Sequence, residues 1–379
     1  MSAKLAVLVL VLTVCHEARA APPAAKPPEA RGLAGKDLYM ALCAPCHAAN
    51  ATGYAADRAP SLVSTTFLES ASDDFLEQSI SAGRSGTSMA AYGKGFGGPL
   101  DPEAVRGLVK YLRTLGPAAR PLPAIAPGVA ADGATVYAQR CFSCHGDLKT
   151  RGEAPSLMNP QLLGASTSSF LRYAIARGRP GTRMVAFADQ LTDADLDNVV
   201  AYLRTFAPGG PAAQAAEARL PAPTGKEPLV MNPRGKPPAF KLTGEPCQAM
   251  ARPDAGPCTP AVQFVSVAQV AGAVVARQRL VIIDARPPSE WMRVHIAGAV
   301  SIPYHELARL DELPRDGTWV IAYCACPHHL SGIVIAELLK RGYKHVAVLD
   351  EGINEWHRRK LPVVAAPGVQ PPPSEPVAR

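Results

Sequence analysis

The sequence has few charged residues and no run of basic ones. Charged side chains account for 19% of its 379 residues and hydrophobic ones for 47%, a balance that excludes a disordered chain and is typical of globular proteins. The formal charge of +7 at pH 7 is not concentrated in one segment, so the sequence gives no indication of nucleic-acid binding. A chain of this length is expected to form roughly two to three domains.

Long hydrophobic runs are scarce too. The run at residues 5–14 is about half as long as the roughly twenty residues that cross a bilayer. Lys4 precedes it and Ala18-Arg19-Ala20 follows it, which is the order found in secretory signals. We therefore predict that residues 1–20 are a signal peptide and that the mature protein is exported to the periplasm, with no membrane required. An uncleaved segment that tethers the protein to a membrane is the alternative.

Cysteine is present nine times, and Cys15 lies in the predicted signal. Four others form two Cys-x-x-Cys-His stretches, Cys43-Ala44-Pro45-Cys46-His47 and Cys141-Phe142-Ser143-Cys144-His145. This spacing attaches a c-type haem, because both thiols form thioethers with the porphyrin and the adjacent histidine ligates the iron. The sequence therefore predicts two covalently bound haem c groups, one at each stretch. A zinc ion shared by the two cysteine pairs is the alternative.

The two stretches belong to a tandem repeat, which we place at residues 32–116 and 130–207. Three segments recur in the same order: Ala59-Pro60-Ser61-Leu62 as Ala154-Pro155-Ser156-Leu157, Gly83-Arg84-Ser85-Gly86-Thr87-Ser88-Met89 as Gly178-Arg179-Pro180-Gly181-Thr182-Arg183-Met184, and Tyr111-Leu112-Arg113-Thr114 as Tyr202-Leu203-Arg204-Thr205. Apolar residues at helical spacing predict a helix that leads into the first haem stretch and one that ends each copy.

The repeat also selects a second iron ligand for each haem. Met89 and Met184 occupy equivalent positions in glycine-rich loops, and a methionine thioether is a common axial ligand. The proline of each Ala-Pro-Ser-Leu segment is predicted to place its carbonyl beside the haem-ligating histidine, because that ring usually donates to a fixed acceptor. Arg84 and Arg179 either pair with haem propionates or lie solvated at the surface.

These motifs make each copy resemble a class I cytochrome c domain. The resemblance rests on Cys-x-x-Cys-His, Ala-Pro-Ser-Leu, the Gly-x-x-Gly-Thr-x-Met loop and the final Tyr-Leu-Arg-Thr helix. It implies a small α-helical fold, one-electron transfer and redox partner proteins. The family often has proline after the axial methionine, whereas Ala90 and Val185 follow here.

The pattern changes after the second copy. Residues 208–261 are predicted to be a Pro-rich linker, and residues 364–379 a loose tail. Between them, β-type runs alternate with helical ones, which predicts an α/β domain at 262–363 whose parallel sheet carries helices on both faces. The β-type runs are 280–283, 299–302, 319–323 and 346–349, and the main helical stretches are 330–340 and 352–360.

Cys324 and Cys326 end one of these β-type runs and precede a predicted helix. A thiol at a helix N-terminus has a lowered pKa and is a nucleophile. With Asp284-Ala285-Arg286, His295-Ile296-Ala297-Gly298-Ala299 and Asp350-Glu351-Gly352-Ile353-Asn354-Glu355-Trp356, this segment resembles a rhodanese, or sulfurtransferase, domain.

The resemblance implies that a loop cysteine takes sulfane sulfur from a donor as a persulfide and passes it to a thiophilic acceptor. Spacing to the Ala336-Glu337-Leu338-Leu339 stretch favours Cys326 as that cysteine, with Cys324 as the alternative. The loop that follows, Pro327-His328-His329-Leu330-Ser331-Gly332, lacks the arginine and glycine that the family commonly has in its first half. A disulfide between the two cysteines would silence the site.

Cys247 and Cys258 remain, and in an oxidising compartment we expect them to form a disulfide; free thiols and metal binding are the alternatives. The sequence thus predicts an exported dihaem cytochrome whose electron transfer is coupled to sulfur chemistry on Cys326. The alternative is a cytochrome whose rhodanese-like domain is a non-catalytic docking or ligand-binding module.

Overall fold

The computed structural model describes residues 33–55, 58–84, 86–207, 219–244, 262–325 and 329–371. The predicted signal, Cys247, Cys258 and Cys326 lie outside the described residues. The described chain forms two helical domains followed by an α/β domain, as the sequence predicts. Among the described residues, no helix has both the length and the apolar character needed to span a membrane.

The first helical domain, haem domain 1, is built around its terminal helices. Its helices are α1 (Gly35–Leu42), α2 (Ala44–His47), α3 (Thr65–Ser70), α4 (Asp73–Ala82) and α5 (Pro102–Arg113), with a 3-10 turn at Lys94–Phe96. Asp101 caps α5 by accepting a hydrogen bond from the Ala104 N–H. The apolar face of α5 packs on α1, where the Tyr39 and Tyr111 rings lie 5.3 Å apart.

The second helical domain, haem domain 2, repeats this plan. Its helices are α6 (Ala130–Arg140), α7 (Phe142–His145), α8 (Pro160–Ala165), α9 (Ser168–Arg177) and α10 (Asp193–Arg204). Thr192 and Asp195 form the predicted capping box of α10. Tyr137 and Tyr202 lie 5.5 Å apart, which reproduces the aromatic contact between the terminal helices of haem domain 1.

The α/β domain contains a five-stranded sheet in the order β1-β6-β5-β2-β4, and every pair in it is parallel. In chain order the strands are β1 (Phe264–Val265), β2 (Leu280–Asp284), β3 (Val294–Ile296), β4 (Val300–Ser301), β5 (Trp319–Tyr323), β6 (Val346–Leu349) and β7 (Val363–Ala365). Strands β3 and β7 form a separate antiparallel pair.

Helices cover both faces of the sheet. They are α11 (Val267–Val275), α12 (Pro288–Trp291), α13 (His329–Lys340) and α14 (Gly352–Arg358), with a 3-10 helix at Leu307–Glu312. Trp356 of α14 and Val270 of α11 pack against one face, and Val334 of α13 packs against the other. Because these strands are parallel, the carboxyl ends of β2, β4, β5 and β6 meet at one edge of the sheet.

Two regions differ from the prediction. Residues 219–244, expected to be linker, pack on the α/β domain: Met231 pairs with Leu280, and the Phe240 ring lies 5.4 Å from Trp319. Strand β4 pairs only with Ile283 and Asp284 at the carboxyl end of β2. The edge of β2 at Leu280 is therefore open to the segment that contains Met231. The expected loose tail begins instead as part of β7, because its backbone completes a ladder with β3.

Candidate functional site

The two haem-attachment stretches have the same backbone arrangement. In each, the first cysteine caps a helix and the histidine ends a four-residue helix. His47 Nδ1 lies 2.9 Å from the Pro60 carbonyl, and His145 Nδ1 lies 2.7 Å from the Pro155 carbonyl. A carbonyl only accepts, so Nδ1 carries the proton and Nε2 keeps the lone pair needed to bind iron. The predicted carbonyl partners are confirmed.

A tyrosine fixes the end of each attachment stretch, and sequence reasoning missed it. Tyr39 donates to the Ala48 carbonyl at 2.7 Å, and Tyr137 donates to the Gly146 carbonyl at 2.8 Å. Each tyrosine stands one helical turn before the first cysteine, so its recurrence at that spacing was the available signal.

The methionine loops also match each other. Thr87 Oγ1 accepts from the Met89 N–H at 3.1 Å and donates to the Arg84 carbonyl at 2.7 Å. Thr182 makes the same two contacts in the loop of Met184, at 3.1 and 2.7 Å. Each loop is therefore closed by its own threonine hydroxyl, which holds the backbone of the methionine in place.

The donor set at each stretch fits a c-type haem. None of the four cysteines forms a disulfide, and burial raises the pKa of Cys43 to about 12 and that of Cys141 to about 11. Among the described residues, no group of three or more His, Cys, Asp or Glu is placed to hold a metal ion. The two cysteine pairs therefore do not come together in one group of metal ligands.

One pair of equivalent residues lies at the contact between the two haem domains. Phe75 of α4 and Phe170 of α9 occupy the same position in the repeat, and their ring centroids lie 4.6 Å apart. Phe67 lies within 6.4 Å of both rings. Thr66 donates to the Gly178 carbonyl at 2.7 Å. The contact is pseudo-symmetric at the pair Phe75 and Phe170, whereas Phe67 and Thr66 are contributed by haem domain 1 alone.

Arg84 and Arg179 flank this aromatic cluster. Arg84 Cζ lies 5.8 Å from the Phe75 centroid, and Arg179 Cζ lies 5.3 Å from the Phe170 centroid. Burial lowers the pKa of each guanidinium to about 10. The expectation of solvated surface arginines is therefore not met, since both are half-buried at the domain contact.

Haem domain 1 also packs against the α/β domain next to its own cysteines. The hydroxyls of Tyr92 and Tyr304 lie 3.2 and 3.1 Å from the Leu42 carbonyl and 3.2 Å from each other. Two protons serve these three contacts, so both hydroxyls stay satisfied while buried. Ser289 donates to the Ala91 carbonyl at 2.6 Å. The residue before Cys43 is thus hydrogen-bonded to a side chain of the α/β domain.

The methionine loop of haem domain 1 lines a cleft with the carboxyl edge of the sheet. Gly86 and Thr87 form one wall, and Arg286, Arg293 and Ala325 belong to the opposite side. Ala325 follows β5 and directly precedes Cys326. The loop that carries both candidate sulfur cysteines therefore begins beside this cleft.

Arg286 is held by a buried network at the end of β2. It donates to both carboxylate oxygens of Asp284 at 2.9 and 2.7 Å, and Tyr323 donates to the same carboxylate at 2.8 Å. The negative charge of Asp284 raises the pKa of Arg286 against the opposing effect of burial. These residues of the rhodanese-like motif thus fix the carboxyl end of β2 at this edge of the sheet.

Cys324, the alternative sulfur carrier, is buried. Its Sγ lies 3.3 Å from Ser331 Oγ, and its carbonyl accepts from the Ile353 N–H at 3.0 Å. Gly352 has φ of 63°, and a Cβ there would lie 2.6 Å from the Cys324 carbonyl oxygen. The Cys324 thiol is therefore enclosed by the chain.

Two repeated haem-attachment domains followed by an α/β domain define a multidomain c-type cytochrome. A cytochrome c family model matches residues 32–116, one for cytochrome C oxidase, cbb3-type, subunit III matches 128–203, and a rhodanese-like domain model matches 267–359. The chain therefore belongs to the cytochrome c family in its helical domains and to the rhodanese family in its α/β domain. Cytochrome c domains carry haem c and transfer electrons.

Three known proteins are similar to parts of this chain. The chain is 39% identical over 98 residues to dihydro-heme d1 dehydrogenase of Pseudomonas aeruginosa, covering 26% of this chain and 20% of that protein. It is 30% identical over 198 residues to Cbb3-type cytochrome c oxidase subunit FixP of Bradyrhizobium sp., covering 48% and 65%. It is 34% identical over 90 residues to a sulfurtransferase of Allochromatium vinosum, covering 24% and 82%. The first match thus spans a fifth of its relative and the second just under two thirds.

Proposed function

We propose that this protein is an exported dihaem cytochrome that transfers electrons in connection with sulfur chemistry, with sulfane sulfur carried on Cys326. The contact between haem domain 1 and the α/β domain carries the proposal. Tyr304 binds the Leu42 carbonyl, which adjoins the first haem cysteine. The methionine loop faces Ala325, which adjoins Cys326. In this proposal a redox site and a sulfur site would therefore be neighbours in one chain.

The proposed sulfur step is a group transfer without net oxidation. The Cys326 thiolate attacks the outer sulfur of thiosulfate, a new S–S bond forms on the cysteine, and sulfite leaves with the electron pair of the broken S–S bond. A thiophilic acceptor such as cyanide then removes the outer sulfur as thiocyanate and restores the thiolate. The N-terminus of α13, which begins three residues after Cys326, favours both anionic forms of the cysteine.

When bound, the two haem c groups supply one-electron redox centres. In our proposal His47 and Met89 would hold one iron, and His145 and Met184 the other. The carbonyls of Pro60 and Pro155 keep each histidine in the tautomer that binds metal. The threonine of each methionine loop keeps the thioether-bearing residue in place.

Haem domain 2 offers a surface for exchange with an external redox protein. Phe142 is 40% exposed, Leu148 62% and Val185 57%. Ala90, the counterpart of Val185 in haem domain 1, is only 2% exposed. Exposed apolar side chains next to a redox site favour a transient protein contact, so we propose that electrons enter or leave the chain at haem domain 2.

The test uses the full-length holoprotein exposed to thiosulfate and measured by intact mass. We expect the wild type to carry two haems and to gain one sulfur atom, and Cys326→Ser to keep both haems and gain none. Cys324→Ser is the matched control and should still gain sulfur. If Cys324→Ser alone abolished the gain, Cys324 would be the sulfur carrier.

A second candidate function is a non-catalytic docking module. The observation that favours it is the use of the sheet edge for contact with haem domain 1, which a domain kept only for assembly would also show. A wild-type protein that holds two haems but never gains sulfur, and that produces no thiocyanate from thiosulfate and cyanide, would establish this candidate.

A further inference from the structure

We propose that the α/β domain clamps the methionine loop of haem domain 1 through Ser289 and Tyr304, and that the unclamped Met184 of haem domain 2 is displaced by small neutral haem ligands such as carbon monoxide. The inference rests on the proposed ligation of iron by Met89 and Met184 and not on the proposed sulfur chemistry. It assigns a positioning role to two residues of the α/β domain and a ligand-binding role to haem domain 2.

Contacts within each haem domain hold the two methionine loops equally. The Arg84 N–H donates to the Met89 carbonyl at 2.7 Å, and the Arg179 N–H donates to the Met184 carbonyl at 2.8 Å. The residue three positions after each methionine donates its N–H to the preceding helix of its own domain, Tyr92 to the Ile80 carbonyl at 3.1 Å and Phe187 to the Ile175 carbonyl at 3.2 Å. A difference in the stability of the two loops therefore has to come from outside each haem domain.

The α/β domain adds such outside contacts to the loop of haem domain 1. Ser289 Oγ donates to the Ala91 carbonyl at 2.6 Å, and the Tyr304 hydroxyl lies 3.2 Å from the Tyr92 hydroxyl. The three residues that follow the methionine, 90–92, are all buried. The end of this loop is therefore enclosed and hydrogen-bonded by side chains of another domain.

The two clamp residues belong to a rigid part of the α/β domain. Ser289 is buried in α12, and the next residue, Glu290, lies 3.5 Å from Arg286. The Tyr304 N–H donates to the Ala285 carbonyl at 2.9 Å. Because Ala285 and Arg286 directly follow β2, an inner strand of the sheet, both clamp residues are fixed to the sheet itself.

The equivalent loop of haem domain 2 is open to solvent at its end. Val185, Ala186 and Ala188 are exposed. Within the described residues, hydrogen bonds from haem domain 1 reach this loop only at its start, at Gly178 and Arg179. Residues 185–188 form no hydrogen bond with another domain in the described part of the chain. The end of this loop is therefore held only by its own domain.

Neither loop has a proline to stiffen it. A proline after the methionine would fix φ at that position, but Ala90 and Val185 stand there in this chain. Haem domain 1 has the clamp in its place, and the described residues of haem domain 2 provide neither. A ligand that competes with the methionine binds only the open loop, so its apparent affinity rises with the fraction of open loop.

The first test is hydrogen–deuterium exchange of the full-length holoprotein, measured on residues 86–93 and 181–188. We expect slower exchange in the first segment. Ser289→Ala removes one hydrogen bond and should speed exchange there about fivefold, with the second segment unchanged. Ser301→Ala is the matched control, because Ser301 is a buried serine of the same domain whose hydroxyl has no partner among the described residues. Equal exchange in both segments of the wild type, or the same change in both variants, would overturn the clamp.

The second test is a carbon monoxide titration of the reduced holoprotein, in which Met184→Ala identifies the absorption signal of haem domain 2. We expect carbon monoxide to bind haem domain 2 about tenfold more tightly than haem domain 1. Ser289→Ala should reduce this ratio about fivefold, and Ser301→Ala should keep it. Equal affinities at the two haems, in a protein whose Met184→Ala variant binds more tightly, would overturn the inference. A Met184→Ala variant that binds no more tightly than the wild type would count against the proposed ligation by Met184 instead.

Discussion

The two haem domains have the same ligand set and different surroundings. Tyr92 of haem domain 1 reaches the α/β domain with its hydroxyl, whereas Phe187 stands at the corresponding place in haem domain 2. Ala90 is buried where Val185 is exposed. The repeat therefore preserves what is needed to hold a haem, and the differences between the copies follow from what each copy contacts.

The largest expected effect is the loss of one haem when a cysteine of its own domain is replaced. Cys43→Ala should impair haem attachment in domain 1 only, and Cys141→Ala in domain 2 only, because each haem depends on its own thioethers. Intact mass and the haem absorption spectrum measure this. A variant that loses both haems would contradict the independence of the two sites.

The contact between the haem domains should respond equally to changes on either side. Phe75→Ala and Phe170→Ala each remove a buried ring from the same aromatic cluster, so each should lower the free energy of unfolding by about 3 kcal/mol. Chemical denaturation checks this, with Phe170→Leu as the milder control. A cost confined to one of the two variants would break the pseudo-symmetry of the contact.

A smaller effect on stability and on the haem spectrum is expected in haem domain 1 alone. Tyr304→Phe removes a hydroxyl from the Leu42 carbonyl, which should cost about 1 kcal/mol of folding free energy. It should also shift the spectrum of the haem of haem domain 1 (haem 1) but not that of the haem of haem domain 2 (haem 2). Tyr343→Phe is the control, since its hydroxyl binds the Leu310 and Leu313 carbonyls within the α/β domain. Equal spectral changes in both variants would show that the interdomain contact has no special relation to haem 1.

Contacts between residues that are close together in the sequence could be predicted from it. His47 and its carbonyl partner lie 13 residues apart within one motif, so the repeat revealed their relation. Tyr92 and Tyr304 lie 212 residues apart, and no local pattern connects them. The packing of Met231 on Leu280 escaped prediction for a similar reason, because an open strand edge exists only after the sheet has formed.

The smallest effect compares equivalent threonines. Thr87→Ala and Thr182→Ala each remove one hydroxyl that binds a methionine N–H, at a cost of about 0.5 kcal/mol. Only Thr87 also lines the cleft at the α/β domain. We therefore expect thiosulfate to perturb haem 1 in the wild type and less so in Thr87→Ala, while Thr182→Ala behaves as the wild type in a spectral titration.

The most direct test of the central claim, that the sulfur site adjoins haem 1, is electron paramagnetic resonance of the ferric protein before and after Cys326 is loaded with sulfur. Our account predicts that loading changes the signal of haem 1 and leaves that of haem 2 as it was, and that Cys326→Ser shows no change. A signal of haem 1 that stays constant in a protein whose mass shows the added sulfur atom would contradict it.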